Sequence, residues 1–205
     1  MVPQVALAVI HARDQGLKVP IIYNTSAYDS LASLELMDGL VDIYLPDFKV
    51  WQPATSKRLL KADDYADTAR ESIKAMHSQV GDLCFTGDGI AKKGVLVRHL
   101  VMPGYEAEGV EIMRFLAQEV SRDCFVNIME QYHPDAYVGK PKRKSSKGAS
   151  PTEGLDLAGG PEDEKRYAEI NRAVSKEEVS TVRRAAEEAG LWRFSDPPKH
   201  GGFNI

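Results

Sequence analysis

The chain has 205 residues, of which 43% are hydrophobic and 27% charged, the composition of an ordinary soluble globular protein. Its formal net charge of −4 lacks the strong basic excess that is typical of nucleic-acid-binding proteins. No apolar run approaches the roughly 20 residues that a membrane-spanning helix needs, and the first residues lack the pattern of a secretory signal. Length and composition therefore predict one soluble domain, or one domain with a tail.

The sequence contains two cysteines, Cys84 and Cys124. Two cysteines are too few for a disulfide framework, and neither lies in a metal-ligand pattern. We therefore predict that both are buried as small hydrophobic residues. This cysteine usage predicts a reducing, cytoplasmic location.

Apolar segments bounded by turn residues alternate with segments of helical periodicity, which predicts an α/β fold with a parallel sheet. A first helix is predicted over Val2–Gln15, with Gly16 just beyond its end. The segment VPIIYNTS, Val19–Ser26, is typical of a buried strand with a polar end, and a short helix over Asp29–Asp38 follows it. DIYLPDF, Asp42–Phe48, is predicted as the second strand.

Two further strands bring the predicted number to four. These strands are Gly94–Gly104 and Cys124–Pro134. A helix capped by Asp63 or Asp64 and ending near Val80 precedes the first of them, and a helix over Ala107–Val120 lies between the two. Four units are too few for a closed (β/α) barrel, and the chain starts with a helix that no strand precedes. We therefore predict a partial (β/α) barrel of about four parallel strands with outer helices, over residues 1–138, whose missing part lies upstream or in a partner.

The composition changes after Pro134. Residues 139–162 are rich in Gly, Pro, Ser and Lys and are predicted to be a disordered insert. Its basic stretch PKRKSSKG is interpreted as a solvated linker, with a nuclear-import signal or an acidic partner's binding site as the alternatives. Residues 163–205 are predicted to form a helical segment that packs back on the barrel. Its helix starts at a capping box of Ser175 and Glu178, and Gly190 ends it.

Each predicted strand carries polar residues where a ligand could bind. Residues two apart on a strand share a face, so Asp47 and Lys49 lie on one side at the end of the second strand. Arg98 lies within an apolar strand, where a guanidinium needs a partner. The other two strands also carry polar residues. These are Asn24 and Ser26 on the first strand, and Asn127, Gln131 and His133 on the fourth.

Two cations, one carboxylate and several amides suit a zwitterionic or phosphorylated small molecule. Two structural interpretations stay open beside the ligand site. Asp47 and Lys49 are consistent with an ordinary ion pair in a loop, and Arg98 with a structural salt bridge to Asp47.

Four segments in this order resemble the radical S-adenosylmethionine (SAM) superfamily, in the branch similar to pyruvate formate-lyase activating enzymes. They are YNTSAYD, DIYLPDFK, VRHLVMPG and NIMEQYHP. The resemblance covers about residues 1–134 and resumes at YAEINRAVSKEEV. It implies a partial (β/α) barrel that holds a [4Fe–4S] cluster and S-adenosylmethionine at the carboxyl ends of its strands.

The resemblance also implies roles for individual residues. Asp47 and Lys49 match a D-x-K element near the methionine and ribose parts of the cofactor, and Arg98 matches an arginine close to the cofactor carboxylate. His133 lies where a residue at a strand end approaches the adenine, with a core or loop histidine as the alternative, whereas His99 is expected to be structural. The predicted cofactor-binding set is Asn24, Ser26, Asp47, Lys49, Arg98, Gln131 and His133, with no catalytic residue and no metal ligand.

The chain departs from this family in one essential respect. The C-x-x-x-C-x-x-C motif whose thiolates hold the cluster is absent, as is the glycine-rich segment that contacts the cofactor's amino group. The resemblance therefore implies a truncated oxidoreductase that retains part of the S-adenosylmethionine pocket and is inactive in reductive cleavage by itself. In the complete enzyme, the cluster donates an electron to S-adenosylmethionine, and the resulting radical abstracts hydrogen from a glycine of a protein partner or from another substrate.

Two alternatives belong to other functional classes. Lys49 at a strand end, near Asp47, also suits a Schiff-base lyase or aldolase. The second alternative is a non-catalytic half-barrel that binds a partner through its exposed edge strand, VPIIYNTS. The sequence leaves the substrate open.

Overall fold

The computed structural model describes residues 2–141 and 165–195, and every structural statement below concerns these residues. Most of the insert predicted over 139–162, including nearly all of its basic stretch, lies outside them. The last ten residues of the predicted helical segment 163–205 lie outside them as well.

Six helices and six strands form the described part of the chain. The helices are α1 (Val2–Asp14), α2 (Leu31–Met37), α3 (Pro53–Thr55, continued by a π-helical turn over Ser56–Leu60), α4 (Tyr65–Val80), α5 (Glu106–Phe115, continued by a π-helical turn over Leu116–Val120) and α6 (Lys176–Glu188). A 3₁₀ turn at Ala168–Ile170 precedes α6. None of the described helices is both long and apolar enough to cross a bilayer.

The strands are β1 (Ile22–Thr25), β2 (Ile43–Pro46), β3 (Cys84–Phe85), β4 (Ala91–Leu100), β5 (Phe125–Met129) and β6 (Arg193–Phe194). They form one sheet in the order β1-β2-β4-β5-β6, with parallel pairing along this path and β3 antiparallel to β4. The predicted α/β fold with a parallel sheet is thus confirmed. All four predicted strands are present, although each is shorter than predicted.

The sequence analysis missed two strands, β3 and β6. Both are only two residues long, and such a short strand has no hydrophobic period that a sequence pattern could reveal. β3 and β4 form a hairpin around Thr86–Ile90, whose Gly-Asp-Gly is a turn signal that could have indicated it.

All connecting helices lie on one face of the sheet. The parallel strands follow each other in chain order, and the right-handed crossovers that are the rule for parallel strands put α2, α4, α5 and α6 on the same side. Val97 and His99 are buried on that side, whereas their neighbours Leu96 and Arg98 point to the opposite, partly open face. Among the described strands, β1 and β6 lie at opposite edges of the sheet, and no pairing joins them into a closed barrel.

Helix α1 has nearly the predicted bounds, but it buries little apolar surface. Ala6 is its one buried residue. Leu7 is 67% exposed, and Val5 and Ile10 are also exposed, at 40% and 43%. The described neighbour of α1 is α2, and β1 beside it is an edge strand. Among the described residues, the apolar side chains of α1 therefore stay mostly exposed.

Helix α6 begins as the sequence predicts. The Ser175 hydroxyl accepts a hydrogen bond from the backbone N–H of Glu178, and the Glu178 carboxylate accepts one from the backbone N–H of Ser175. The helix packs closely on α5 because Gly109 has no side chain. A Cβ there would lie 2.7 Å from His99 Nε2 and 2.8 Å from a methyl of Val182.

The capping box provides a test of this helix boundary. We expect Ser175→Ala to lower the free energy of unfolding by about 1 kcal/mol, because the N–H of Glu178 loses its acceptor. Ser180→Ala, at an exposed position of the same helix, is the matched control and should leave stability unchanged or slightly higher. Urea unfolding monitored by circular dichroism measures both, and equal effects of the two substitutions would contradict the assignment.

Candidate functional site

Four of the predicted site residues meet in one cluster across β1, β2 and β4. Arg98 donates from Nε to Asp47 Oδ1 at 2.7 Å and from a terminal nitrogen to Asn24 Oδ1 at 2.8 Å. Lys49 Nζ donates to the other oxygen of Asp47 at 2.9 Å. Both ion pairs that the sequence left open as structural interpretations, Asp47 with Lys49 and Asp47 with Arg98, are therefore formed.

The register of the sheet explains why these side chains meet. Asn24 is paired with Leu45, and Asp47 forms a bridge with Arg98, so the polar residues follow one another across neighbouring strands. They share the face of the sheet that carries no helix, since each is more exposed than the residues beside it on its strand, which point to the other face. The cluster thus lies on the open face, towards the carboxyl end of β2.

The cluster carries a net positive charge and is only partly shielded from water. Two cations and one carboxylate leave one positive charge, and both oxygens of Asp47 already contact a cation. The exposed fractions of the side chains are 22% for Asp47, 26% for Arg98 and 37% for Lys49. Such a cluster favours an anionic group, a carboxylate or a phosphate, as its ligand.

Tyr65, the first residue of α4, holds the ends of β1 and β2 together. Its hydroxyl lies 2.8 Å from the carbonyl oxygen of Asp47 and 3.0 Å from that of Ser26, and it accepts a hydrogen bond from the backbone N–H of Lys49 at 2.9 Å. Burial is the main cause that raises the pKa of Tyr65 far above its usual value, so the hydroxyl stays protonated. Ser26 is exposed, and its contact with Tyr65 is through the carbonyl oxygen.

His99 and Glu108 hold the segment that follows Asp47 from the helix side. His99 is buried, and burial lowers its pKa below the usual value. Its Nδ1 lies 2.8 Å from the carbonyl oxygen of Phe48 and must carry the proton, because a carbonyl only accepts. Glu108 Oε2 accepts hydrogen bonds from the backbone N–H groups of Trp51 and Gln52 at 2.7 and 3.1 Å. The structural role predicted for His99 agrees with this geometry.

A cavity of about 370 Å³ opens beside Lys49. His133 lines it together with Lys49, whereas Gln131 is exposed and is not among its lining residues. Asn127, which shares the face of the fourth strand, pairs in register with Arg98. The other walls are mostly apolar or aromatic and include Leu59, Leu60, Leu100, Met102, Tyr132, Tyr137, Tyr167 and Ile170.

The wall formed by residues 165–170 is attached to the rest of the fold by polar contacts. The Tyr132 hydroxyl donates to the carbonyl oxygen of Ile170 at 3.0 Å. Arg58 pairs with Glu169 at 2.6 Å, and its guanidinium lies 5.5 Å from the centre of the Tyr167 ring. These contacts join segments far apart in sequence, which is why the sequence analysis missed these residues, as it missed Tyr65 and Glu108. Tyr132 had a usable signal, because it directly precedes His133 in a segment that carries the family resemblance.

The cysteines of this chain do not fit an iron–sulfur cluster. The described residues contain no group of three or more His, Cys, Asp or Glu side chains arranged to hold a metal ion. Cys124 is buried as predicted, but the prediction for Cys84 is wrong: Cys84 is exposed, because β3 forms the outer arm of a hairpin. Two thiols, one of them buried, cannot supply the set of thiolates that a [4Fe–4S] cluster needs.

The hydroxyl of Tyr65 can be tested by Tyr65→Phe. We expect the free energy of unfolding to fall by about 1–3 kcal/mol, because partly buried backbone groups just beyond β1 and β2 lose their partner. Tyr28→Phe removes an exposed hydroxyl that donates to Asp64 and serves as the control, with an expected change of about 0.5 kcal/mol or less. Denaturant unfolding measures the stability of both variants. A loss of stability in Tyr65→Phe no larger than that in Tyr28→Phe would contradict this role.

The two thiols should differ sharply in reactivity. Burial raises the pKa of the Cys124 thiol to about 12, so it stays protonated and inaccessible in the native protein. A disulfide reagent at about pH 8 should modify Cys84 rapidly and Cys124 only after unfolding. The variant Cys84→Ser should show no rapid reaction, and fast modification of two thiols in the folded wild type would contradict the assignment.

Comparison with known proteins gives a relative but no family. No model of a known protein family matches the sequence. The chain is 26% identical over 174 residues to the uncharacterized protein MJ0674 of Methanocaldococcus jannaschii. The alignment covers 84% of this chain and 39% of that protein, so the chain spans about two fifths of the length of the curated relative that it matches.

Proposed function

We propose that this chain contributes S-adenosylmethionine-binding strands to a radical SAM protein that resembles the glycyl-radical activating enzymes. The observation that carries the proposal is the convergence of Asn24, Asp47, Lys49 and Arg98, four members of the set that the resemblance implies, on one face of one sheet. The partial (β/α) barrel is part of the proposal. Strands that follow each other in chain order, with their helices on one face, support it.

The charges of the cluster suit the amino-acid end of S-adenosylmethionine. Arg98 and Lys49 are the cations for its carboxylate, and the net positive charge of the cluster favours that group. Asn24 Oδ1 and the Asp47 carboxylate are oxygen acceptors for its ammonium group. The part of this chain is to bind and orient these groups, with Tyr65 keeping the ends of β1 and β2 at a constant distance.

The cavity beside Lys49 suits the adenosyl end. Its volume of about 370 Å³ lies within the range of small-molecule pockets, and its mostly apolar walls exclude water from a flat heterocycle. His133 lines this cavity, which supports its proposed place near the adenine. Ser26 and Gln131 are exposed, and their contacts with the cofactor remain predictions that rest on the resemblance.

S-adenosylmethionine supplies hydrogen-abstracting chemistry in that family once an electron reaches it from a [4Fe–4S] cluster. Because the cysteines of this chain do not fit the cluster, the proposal places its ligands outside these 205 residues. By itself the chain would bind the cofactor without cleaving it. A protein substrate of the glycyl-radical type belongs to the proposal on the strength of the resemblance.

The ion pair of Lys49 separates this proposal from the Schiff-base alternative. A lyase needs the amine of Lys49 free to attack a carbonyl. In the structure the amine contacts Asp47 at 2.9 Å, so an aldolase would have to break a contact that the S-adenosylmethionine site uses.

Calorimetric titration of the chain with S-adenosylmethionine tests the proposal. We expect saturable binding with a dissociation constant of about 1 mM or lower. Arg98→Lys should weaken it at least tenfold, or about 1.4 kcal/mol, because a compact ammonium lacks the planar fork whose separate nitrogens contact Asp47 and Asn24 and leave a further N–H for a ligand carboxylate. Arg114→Lys, at an exposed arginine of α5, is the matched control and should bind like the wild type.

Circular dichroism of both variants establishes that they are folded. Absence of saturable binding by the wild type would remove the proposal and favour the partner-binding half-barrel. Equal affinity of the Arg98→Lys variant would remove the role of Arg98.

A further inference from the structure

A second cavity lies at the opposite end of the sheet from the proposed cofactor site. It has a volume of about 230 Å³. Its lining residues are the cationic Arg13, Lys18, Lys92 and Lys93, the acidic Asp42, and the apolar Leu17, Val19 and Pro20. Asp42 directly precedes β2, and Asp47 directly follows it, so the two ends are separated by roughly 16 Å of extended strand. The two cavities share no lining residue.

The floor of this cavity is an ion pair with a structural role. Arg13 donates to the carbonyl oxygens of Gly39 and Leu40 at 2.8 and 3.1 Å and to Asp42 at 3.2 Å. The same oxygen of Asp42 accepts a hydrogen bond from the backbone N–H of Ile21 at 2.7 Å. Arg13 and Asp42 therefore connect the end of α1 to the start of β2, and their charges compensate each other.

The three lysines around this floor are not compensated in the same way. Within residues 2–141 and 165–195, no carboxylate lies within 4.0 Å of the ammonium groups of Lys18, Lys92 and Lys93. The lining thus carries three excess positive charges in a chain whose formal net charge is −4. All three lysines are exposed, so their ammonium groups are accessible to an anion from solvent.

The backbone holds Lys92 and Lys93 at this place. Gly94 follows them at a φ of +126°, and its N–H donates to the carbonyl oxygen of Asp42 at 2.9 Å. A Cβ at Gly94 would lie 2.4 Å from the carbonyl oxygen of Asp82, so only glycine permits this close approach. The two lysines therefore extend from a rigid part of β4 and not from a mobile loop.

We propose that this cavity binds a phosphate group, either as a free anion or as the terminal group of a larger molecule. Lysine ammonium groups bind phosphate as point charges, and three of them match a group that carries more than one negative charge. The cavity is smaller than the pockets of about 300–1,000 Å³ that enclose whole drug-sized ligands. A compact anion fits it, and any larger molecule would extend into solvent.

Titration with inorganic phosphate, pyrophosphate and AMP at constant ionic strength of about 0.15 M tests this site. We expect saturable binding of pyrophosphate with a dissociation constant of about 1 mM or lower. The double variant Lys92→Gln/Lys93→Gln should weaken it at least tenfold. Lys57→Gln/Lys176→Gln removes the same charge at exposed positions elsewhere, so it is the matched control and should bind like the wild type. Tighter binding of AMP than of free phosphate would identify a larger molecule as the source of the phosphate.

Three results would overturn the proposal. They are binding that does not saturate, an equal loss of affinity in both double variants, or stronger competition by polyglutamate than by pyrophosphate, which would assign the cavity to an acidic protein partner. The Lys92→Gln/Lys93→Gln variant should keep its affinity for S-adenosylmethionine, so failure of the phosphate site is distinguishable from failure of the proposed function.

Discussion

The Asp47 carboxylate is the contact on which the candidate site depends. It accepts from Arg98 with one oxygen and from Lys49 with the other, and so holds two cations on the same face of the sheet. Without it, the partly buried guanidinium of Arg98 would face a second cation with only the amide of Asn24 as its partner. One carboxylate between two cations makes the cluster both a structural connection between β2 and β4 and a positively charged place for an anion.

Uncharged and hydrogen-bonded groups hold this charged cluster in place. Burial lowers the pKa of His99 and keeps the Tyr65 hydroxyl protonated, and both side chains contact the peptide group that joins Phe48 and Lys49. Glu108 accepts from the backbone N–H groups of Trp51 and Gln52, further along the same segment. Because these contacts come from β4, α4 and α5, the segment after β2 cannot shift without disturbing three elements, and the position of Lys49 is well defined.

Local patterns were sufficient to predict five of the six helices, all except α3, and the longer strands. The capping box of α6 lies within a few residues of sequence, and it is present. The same reasoning failed for Cys84, because exposure of β3 depends on what packs against it. It also missed Tyr65 and Glu108, since a tyrosine at a helix start and a glutamate in a first helical turn are ordinary in themselves.

The sequence by itself determined the alternation of helices and parallel strands. It also placed Asp47, Lys49 and Arg98 at strand positions that a ligand could reach, because side-chain direction on a strand follows from residue spacing alone. Only the tertiary structure decided that Arg98 meets both Asp47 and Asn24, and that three lysines surround a cavity at the other end of the sheet. Strand register and helix packing set these distances. They depend on contacts between residues far apart in the chain, which no local pattern encodes.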